Sequence, residues 1–164
     1  MAGDGMLVKI GGLPELRAAL LAIPRNLRRR ALRDALAGGA RIIRDEARRR
    51  APVLRFTTYS GASVIRRGVR APGTLRKAIS VRTSKVARRG GDVGVFVNVR
   101  PAKGADRGTY SPRDPYYWRW QEFGTIKKSG AGYLQAAGQR LGDALRAFTA
   151  RIGPAIGKFN TTKP

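Results

Sequence analysis

Few residues of this chain could carry acid-base, nucleophilic or metal chemistry. The sequence contains no His and no Cys, which excludes imidazole catalysis, thiolate chemistry, disulfides and the ordinary zinc sites. Asp45 and Glu46 are adjacent on a predicted helix and therefore diverge by about 100°, which is wrong for a shared acid/base site. We therefore expect no catalytic, metal or cofactor site, and a protein that is not an enzyme.

Two further patterns resemble reactive motifs only in part. The segment from Gly153 to Lys158 is one residue too short for a phosphate-binding loop, has no Ser or Thr after its Lys and does not precede a predicted helix. The pairs Ser84-Lys85 and Lys128-Ser129 could in principle support Ser-Lys chemistry, but such pairs arise by chance in a basic chain. Neither pattern changes the expectation of a non-catalytic protein.

Charge is the dominant property of the sequence. Thirty-four Lys and Arg residues face ten Asp and Glu residues, which gives a net charge of +24 over 164 residues. Self-repulsion on that scale calls for an acidic partner, a polyanion or oligomer contacts. The length fits one domain spanning residues 1–164. No charge-free stretch approaches the ~18 residues of a membrane span, and no secretory signal is recognisable, so we expect the chain to stay in the cytoplasm of the cell that makes it and to have no membrane contact.

Five arginines form a stripe on the longest predicted helix, Arg25 to Ala51. At about 100° per residue they project within a sector roughly 80° wide, beside the apolar face. The stripe is typical of a solvated face, of docking against acidic subunits through guanidinium forks, or of contact with nucleic-acid phosphates; of the two functional alternatives we favour docking. Its members are Arg30, Arg33, Arg41, Arg44 and Arg48.

The remaining periodic segments predict short helices and a hairpin. A helix should begin at Leu13 and end at Pro24, and a helical turn capped by Thr74 should follow later. Alternating apolar residues predict two strands, from Ile79 to Thr83 and from Val93 to Val99, joined by a turn at 88–92. Residues 6–10 could form a further small strand or an arm.

An aromatic helix and a final helix complete the prediction. Residues 116–123 hold five of the twelve aromatic residues, and we favour core or interface packing over a base-stacking platform. Gly124 should end this helix in a left-handed conformation, with Phe123 packed under the final helix against Leu134 or Leu141. Glu122 is expected to contact a neighbouring subunit, or else to form a salt bridge with Lys127 or Arg119. The final helix should run through residues 133–152, stop at Gly153-Pro154 and lead to a flexible tail at 159–164.

These elements define an α+β fold. We expect a small antiparallel sheet packed against the long helix and a C-terminal helix. Two basic segments, 51–73 and 101–115, show no period and are expected to be long loops that gain order on assembly.

Several stretches, taken in order, resemble one family. They are Val8 to Leu16, Ala40 to Pro52, Gly73 to Ile79 and Tyr116 to Thr125. Together they resemble the tail-component or neck proteins of long-tailed bacteriophages, related to the minor tail protein Z group. Two departures are the absence of prolines at Gly132 to Ala136 and a longer interval from Pro52 to Gly73.

The resemblance implies a structural virion protein of the head-tail junction. It implies a ring of identical subunits, sixfold in the expected case, that joins the head connector to the tail tube as a neck, tail-completion or tail-terminator component. Its partners would be head-completion and tail-tube or terminator proteins, with DNA in the neck as a further contact. Candidate interface residues are the arginine stripe with Glu122, Phe123 and Gly124. The alternative from composition is a nucleic-acid-binding protein of the ribosomal or architectural type.

Overall fold

A computed structural model describes residues 13–21, 25–53, 72–90 and 92–160. The expected strand or arm at residues 6–10, most of the 51–73 loop and the last four residues of the expected tail lie outside these ranges.

A 26-residue helix is the central element of the fold. This helix, α2, spans Arg25–Arg50 and is about 39 Å long at 1.5 Å per residue. It ends as predicted: the Ala51 N–H still bonds the Ala47 carbonyl at 2.8 Å, and Pro52 cannot continue the ladder because it has no N–H. The shorter α1 spans Leu13–Leu21, so both N-terminal helices are confirmed.

The predicted strands pair as an antiparallel ribbon. Helix α3, Thr74–Ala78, leads directly into β1, Ile79–Thr83. Strand β2, Val95–Val99, lies antiparallel to β1, with Ile79 opposite Val99. The prediction differs from the structure in three details. Strand β2 begins at Val95 rather than Val93. A short helix α4, Lys85–Arg89, precedes the turn, because the Ser84 hydroxyl caps it by accepting from the Ala87 N–H at 3.2 Å. The N-cap of α3 is Gly73 rather than Thr74.

The C-terminal part contains three helices and a minimal hairpin. The predicted aromatic helix is α5, Trp118–Phe123, and strands β3, Gly124–Thr125, and β4, Lys128–Ser129, follow it. Helix α6 spans Tyr133–Gly138 and α7 spans Leu141–Asn160. The 101–115 segment is a loop as predicted, apart from the 3₁₀ turn Gly104–Asp106.

The predicted final helix is wrong at its middle and at its end. It breaks after Gly138, where the N–H groups of Gln139 and Arg140 bond carbonyls three residues back, and glycine there weakens the helix. It then continues through Pro154 to Asn160. Ile152 and Ile156 on either side of the proline are buried against α2, so tertiary packing outweighs the lost backbone bond. Phe159 and Asn160, the first two residues of the expected tail, therefore belong to this helix.

The buried residues form two clusters, one toward each end of α2. The first joins α2 to the ribbon and α6: Ala47, Ala51, Leu75, Ile79, Val99, Tyr133 and Ala137. The second joins the N-terminal half of α2 to α7 through Ala31, Ala35, Ile152 and Ile156, with α1 residues packed at its margin. Both clusters are rich in Ala on the α2 side, so the elements approach this helix closely.

Two consecutive glycines of α2 let α7 approach it closely. A Cβ on Gly39 would lie 2.5 Å from the carbonyl oxygen of Ala144 in α7, and one on Gly38 would meet the side chain of Arg151. Only glycine permits this crossing distance. The α+β class, with a long helix packed against a C-terminal helix and a small antiparallel sheet, is confirmed. No helix in the described ranges is long and apolar enough to cross a membrane.

Candidate assembly surfaces

Four of the five stripe arginines line one groove. Arg33, Arg41, Arg44 and Arg48 lie along α2, and residues 80–83 of β1 form the opposite wall together with Val95 of β2. The groove has a volume of about 310 Å³. Arg30 is exposed on the same helix but does not line it. The stripe was predicted from the helical period alone, but its position beside an edge of the sheet was not, because strand placement depends on tertiary packing.

Arg48 forms hydrogen bonds within the chain. Its Nε and Nη2 donate to the carbonyl oxygen of Ile79 at 3.1 and 2.8 Å. This forked contact fastens the start of β1 to α2 and satisfies a strand carbonyl that would otherwise face the groove. Arg48 is therefore first a structural link between the helix and the ribbon.

The other groove arginines keep their charge accessible. Arg33 and Arg44 each pair with the aspartate next in sequence, Asp34 at 3.3 Å and Asp45 at 2.8 Å, and both aspartates are largely exposed. Exposed pairs of this kind contribute little and are readily exchanged for other anions. Arg82 on β1 adds a fifth lining guanidinium, against Asp34 as the one lining carboxylate. The groove is therefore strongly cationic.

Glu122 is a buried structural group, so its expected surface contact is wrong. Only 5% of it is exposed. Its two carboxylate oxygens accept the backbone N–H groups of Leu134 at 2.8 Å and Gln135 at 2.9 Å, at the start of α6. The N-cap of α6 is Gly132, which offers no side-chain acceptor, and an anion is favourable at a helix N-terminus. A glycine-initiated helix was the sequence signal, but the acceptor lies too far along the chain to be identified from spacing.

Gly124 has the positive φ that was predicted. Its φ is 88° and its ψ is −173°, a combination essentially confined to glycine but more extended than the left-handed helical conformation expected. A Cβ there would lie 2.6 Å from the Gly130 nitrogen and 2.7 Å from the Lys128 carbonyl oxygen. The hairpin after α5 is therefore fixed by both sterics and backbone geometry.

Phe123 does not pack under the final helix, so that prediction is also wrong. It is 77% exposed, and Trp120 and Ile126 are exposed close to it in sequence. We call Trp120, Phe123 and Ile126 the apolar turn. The core role expected for the aromatic helix belongs instead to Tyr117 and Trp118, which pack against the first buried cluster. The helical period did not distinguish the two faces because both carry aromatic residues.

Two buried groups have strongly shifted pKa values. Hydrogen bonds from Arg49, and then from Arg50, lower the pKa of Glu46 to about 2. Burial, with the nearby charge of Glu122 as the next cause, raises the pKa of the Tyr133 hydroxyl, which has no hydrogen-bond partner among the described residues. Glu46 and Asp45 point to different partners, as their adjacency predicted. Neither shifted group lines the groove.

The 101–115 loop is held together by its own polar groups. The buried Asp114 carboxylate accepts the Gly108 N–H at 2.5 Å, and Arg113 pairs with Asp106 at 3.1 Å. Within the described ranges no group of three or more His, Cys, Asp or Glu could hold a metal ion.

One comparison with known proteins identifies the family. A family model described as "Bacteriophage HK97-gp10, putative tail-component" matches residues 15–124, a range that begins in α1 and ends at the first residue of the hairpin after α5. No curated protein and no solved structure matches the chain. The matched range covers more than half of the chain and contains the arginine stripe, the ribbon and Glu122. This chain belongs to the HK97 gp10-like family of bacteriophage tail components.

Proposed function

We propose that this protein is a structural subunit of the phage head-tail junction. In this proposal identical copies form a ring, sixfold in the simplest case, between the head connector and the tail tube. The ring acts as a neck, tail-completion or tail-terminator component and contacts head-completion and tail-tube proteins. Family membership supports a structural place in the virion, and the surfaces of the subunit support assembly into a ring.

The apolar turn is the main observation in support of a ring, because it offers a surface for contact between subunits. Phe123 and Ile126 are large apolar side chains on a backbone that Glu122 and Gly124 hold in one conformation. Large apolar groups presented on a fixed turn are typical of protein interfaces, because little entropy is lost when they are covered.

The net charge of the chain supports the proposal that different molecules, rather than further copies of this chain, lie above and below the ring. A net charge of +24 makes close packing of identical subunits unfavourable unless other charges offset it. Acidic surfaces on the adjoining layers, or DNA in the neck, would provide that offset. The proposal assigns no catalytic step to the chain, and the lack of His and Cys supports this.

The ring is tested by the oligomeric state of the purified chain. We expect the wild type to sediment as a ring and the double variant Phe123→Ser with Ile126→Ser to remain a folded monomer. Val86→Ser is the matched control, since Val86 is also highly exposed, on α4, but lies away from the turn. Equal assembly of all three proteins would contradict the proposed interface.

The position in the particle needs a separate measurement. Cryo-electron microscopy of virions carrying a tagged chain should place the tag in one layer at the head-tail junction. Tag density repeated along the tail tube, or a chain found in infected cells but not in virions, would contradict that position.

The alternative function is nucleic-acid binding of the architectural type, which the same charge favours. A phosphate-binding protein should bind generic duplex DNA with an affinity that falls linearly with log salt concentration, with a slope set by the number of phosphates neutralised. Tight, steeply salt-dependent binding by the assembled protein would favour this alternative.

A further inference from the structure

One edge of strand β1 is unpaired among the residues that the structure describes. In the described ranges its sheet has two strands, β1 and β2, so one side of β1 carries no neighbour. The Arg100 N–H bonds the Ala78 carbonyl, and the Ser84 N–H bonds the Gly94 carbonyl, each at 2.8 Å. Because antiparallel pairing alternates along a ladder, these two bonds assign the even-numbered residues of 78–84 to β2.

The odd-numbered residues of β1 therefore direct their backbone groups away from β2. The Ile79 carbonyl is already bonded by Arg48. Val81 and Thr83 make no backbone hydrogen bond outside the ribbon within the described ranges. Two consecutive odd positions are thus available to receive a further strand.

The outer edge of β2 is partly occupied, as that of β1 is. The Val99 N–H on that side is bonded by the side-chain oxygen of its own neighbour, Asn98, at 2.7 Å. A side chain that occupies an edge donor is one of the ways in which proteins block strand addition. Four consecutive residues of β1, 80–83, line the cationic groove, whereas β2 lines it with Val95 alone. We therefore take the outer edge of β1 as the receptive edge of the ribbon.

The receptive edge borders the cationic groove, because Arg48, which lines the groove, bonds the outward carbonyl of Ile79 on β1. Arg33, Arg41 and Arg44 on α2 face residues 80–83 of β1 across it. Side chains alternate between the two faces of a strand, so every second residue of an added strand would point toward these guanidinium groups. Four residues of strand span about 13 Å, which sets the occupant at roughly four to six residues.

We propose that this groove binds an extended acidic segment of a partner protein, which adds to β1 as a third strand. Backbone groups of Val81 and Thr83 bond the segment, and alternate carboxylates meet Arg33, Arg41 and Arg44. Strand addition of this kind uses backbone bonds for affinity and alternating side chains for specificity. The inference rests on the proposed function, because it names the chemistry of one neighbour of the assembled subunit.

Charge identifies the occupant as a different protein. The undescribed segment 54–71 carries four Arg and no acidic residue, and residues 1–12 carry one Asp and one Lys. A second copy of the chain brings a further +24. DNA is acidic but has no amide ladder to pair with the edge of β1.

Short peptides test the strand and the charge separately. The probe is a seven-residue peptide of alternating Glu and Thr, blocked at both ends, with binding measured by calorimetry on the full chain. One comparison peptide replaces Glu by Gln, and a second is N-methylated on the amides that would face β1. We expect each change to weaken binding by about tenfold or more, because charge-assisted and backbone bonds are lost.

Two double variants locate the site on the protein. Arg33→Gln with Arg41→Gln should weaken binding of the acidic peptide by about tenfold or more. Arg88→Gln with Arg89→Gln removes the same charge from exposed positions on α4 and should change binding by less than about twofold. Both pairs lie at exposed helix positions, so circular dichroism should show unchanged folding.

Three results would overturn the inference. N-methylated peptide binding as tightly as the parent would show attraction by charge without strand addition. Equal losses in both double variants would show that only total charge matters. A generic DNA duplex that displaces the peptide and loses affinity only with Arg33→Gln and Arg41→Gln would make the groove a phosphate site. Peptide binding by a chain that forms no ring would contradict the proposed ring and leave the inference intact.

Discussion

Glu122 and Phe123 are adjacent in sequence, and each lies where the chemistry of the other would be expected. The carboxylate is buried and caps α6, while the aromatic ring is exposed. A charged group can be buried when backbone N–H groups at a helix start supply its hydrogen bonds. Hydrophobicity alone therefore assigns the wrong residue to the core here.

Substitutions at these two residues should separate the roles. Glu122→Gln should lower the free energy of unfolding by about 1 to 3 kcal/mol, because the amide keeps only one acceptor for two backbone donors. Phe123→Ala should change it by less than about 0.5 kcal/mol, as expected at an exposed position. Urea denaturation measures both, at protein concentrations low enough to keep wild type and variants monomeric, so that loss of the ring does not enter the comparison. A larger loss for Phe123→Ala would contradict the placement of the ring outside the core.

Glu46 should make stability depend on pH in the acid range. Its pKa in the folded protein, about 2, lies below the ordinary value of 4.5. The pairing with Arg49 and Arg50 therefore stabilises the fold fully above about pH 4.5, and the contribution is lost as pH falls toward 2.

Glu46→Gln provides the comparison for that titration. Its Tm should lie below that of the wild type near pH 6, and the gap should close as the pH is lowered through about 4 toward 2. Other carboxylates titrate in both proteins, so the gap isolates Glu46. A gap that stays constant with pH would show that Glu46 contributes by packing rather than by charge.

At the scale of elements, the contact between α2 and α7 depends on glycine. Ala is ordinarily the better helix former by about 1 kcal/mol. At Gly39 the added Cβ would meet the Ala144 carbonyl at 2.5 Å, a backbone atom that cannot move without shifting α7. The local preference and the packing requirement therefore oppose each other at this position.

Matched glycine substitutions should show opposite signs. Gly39→Ala should destabilise the protein by about 1 to 3 kcal/mol, since the helices must separate. Gly157→Ala in α7 meets nothing within 4 Å and should stabilise the protein by up to about 1 kcal/mol. Chemical denaturation of the two variants gives the sign directly. Stabilisation by Gly39→Ala would mean that the helices do not approach as closely as described.

Elements with a clear period could be predicted from the sequence, and interruptions decided by packing could not. The helix from Arg25 and the alternation of the Val-rich strand specify their structures locally, and both are confirmed. The helix through Pro154 and the cap of α6 by Glu122 depend on contacts between distant residues. The sequence does not show which distant residues come into contact, so it could not predict either feature.

For the whole molecule, the sequence predicted the arginine stripe but not the surface that completes it. The stripe follows from the 3.6-residue period of one helix, whereas the groove needs the position of β1 as well. Arg48 shows the difference most clearly. It has the same type and helical spacing as its neighbours, yet its forked bond to Ile79 serves the fold.

The paired glycines of α2 make this helix depend on its contact with α7. Gly38 and Gly39 are the weakest helix formers of α2, and they lie between the two buried clusters, where α7 presses against the helix. The contact with α7 therefore supports α2 at the point where its own sequence favours a helix least. A load that pulls α7 away would let the helix bend between Arg33 and Arg41, and the spacing of these two groove arginines would change with it. Loss of the contact between α2 and α7 is therefore expected to change the cationic groove as well as the core.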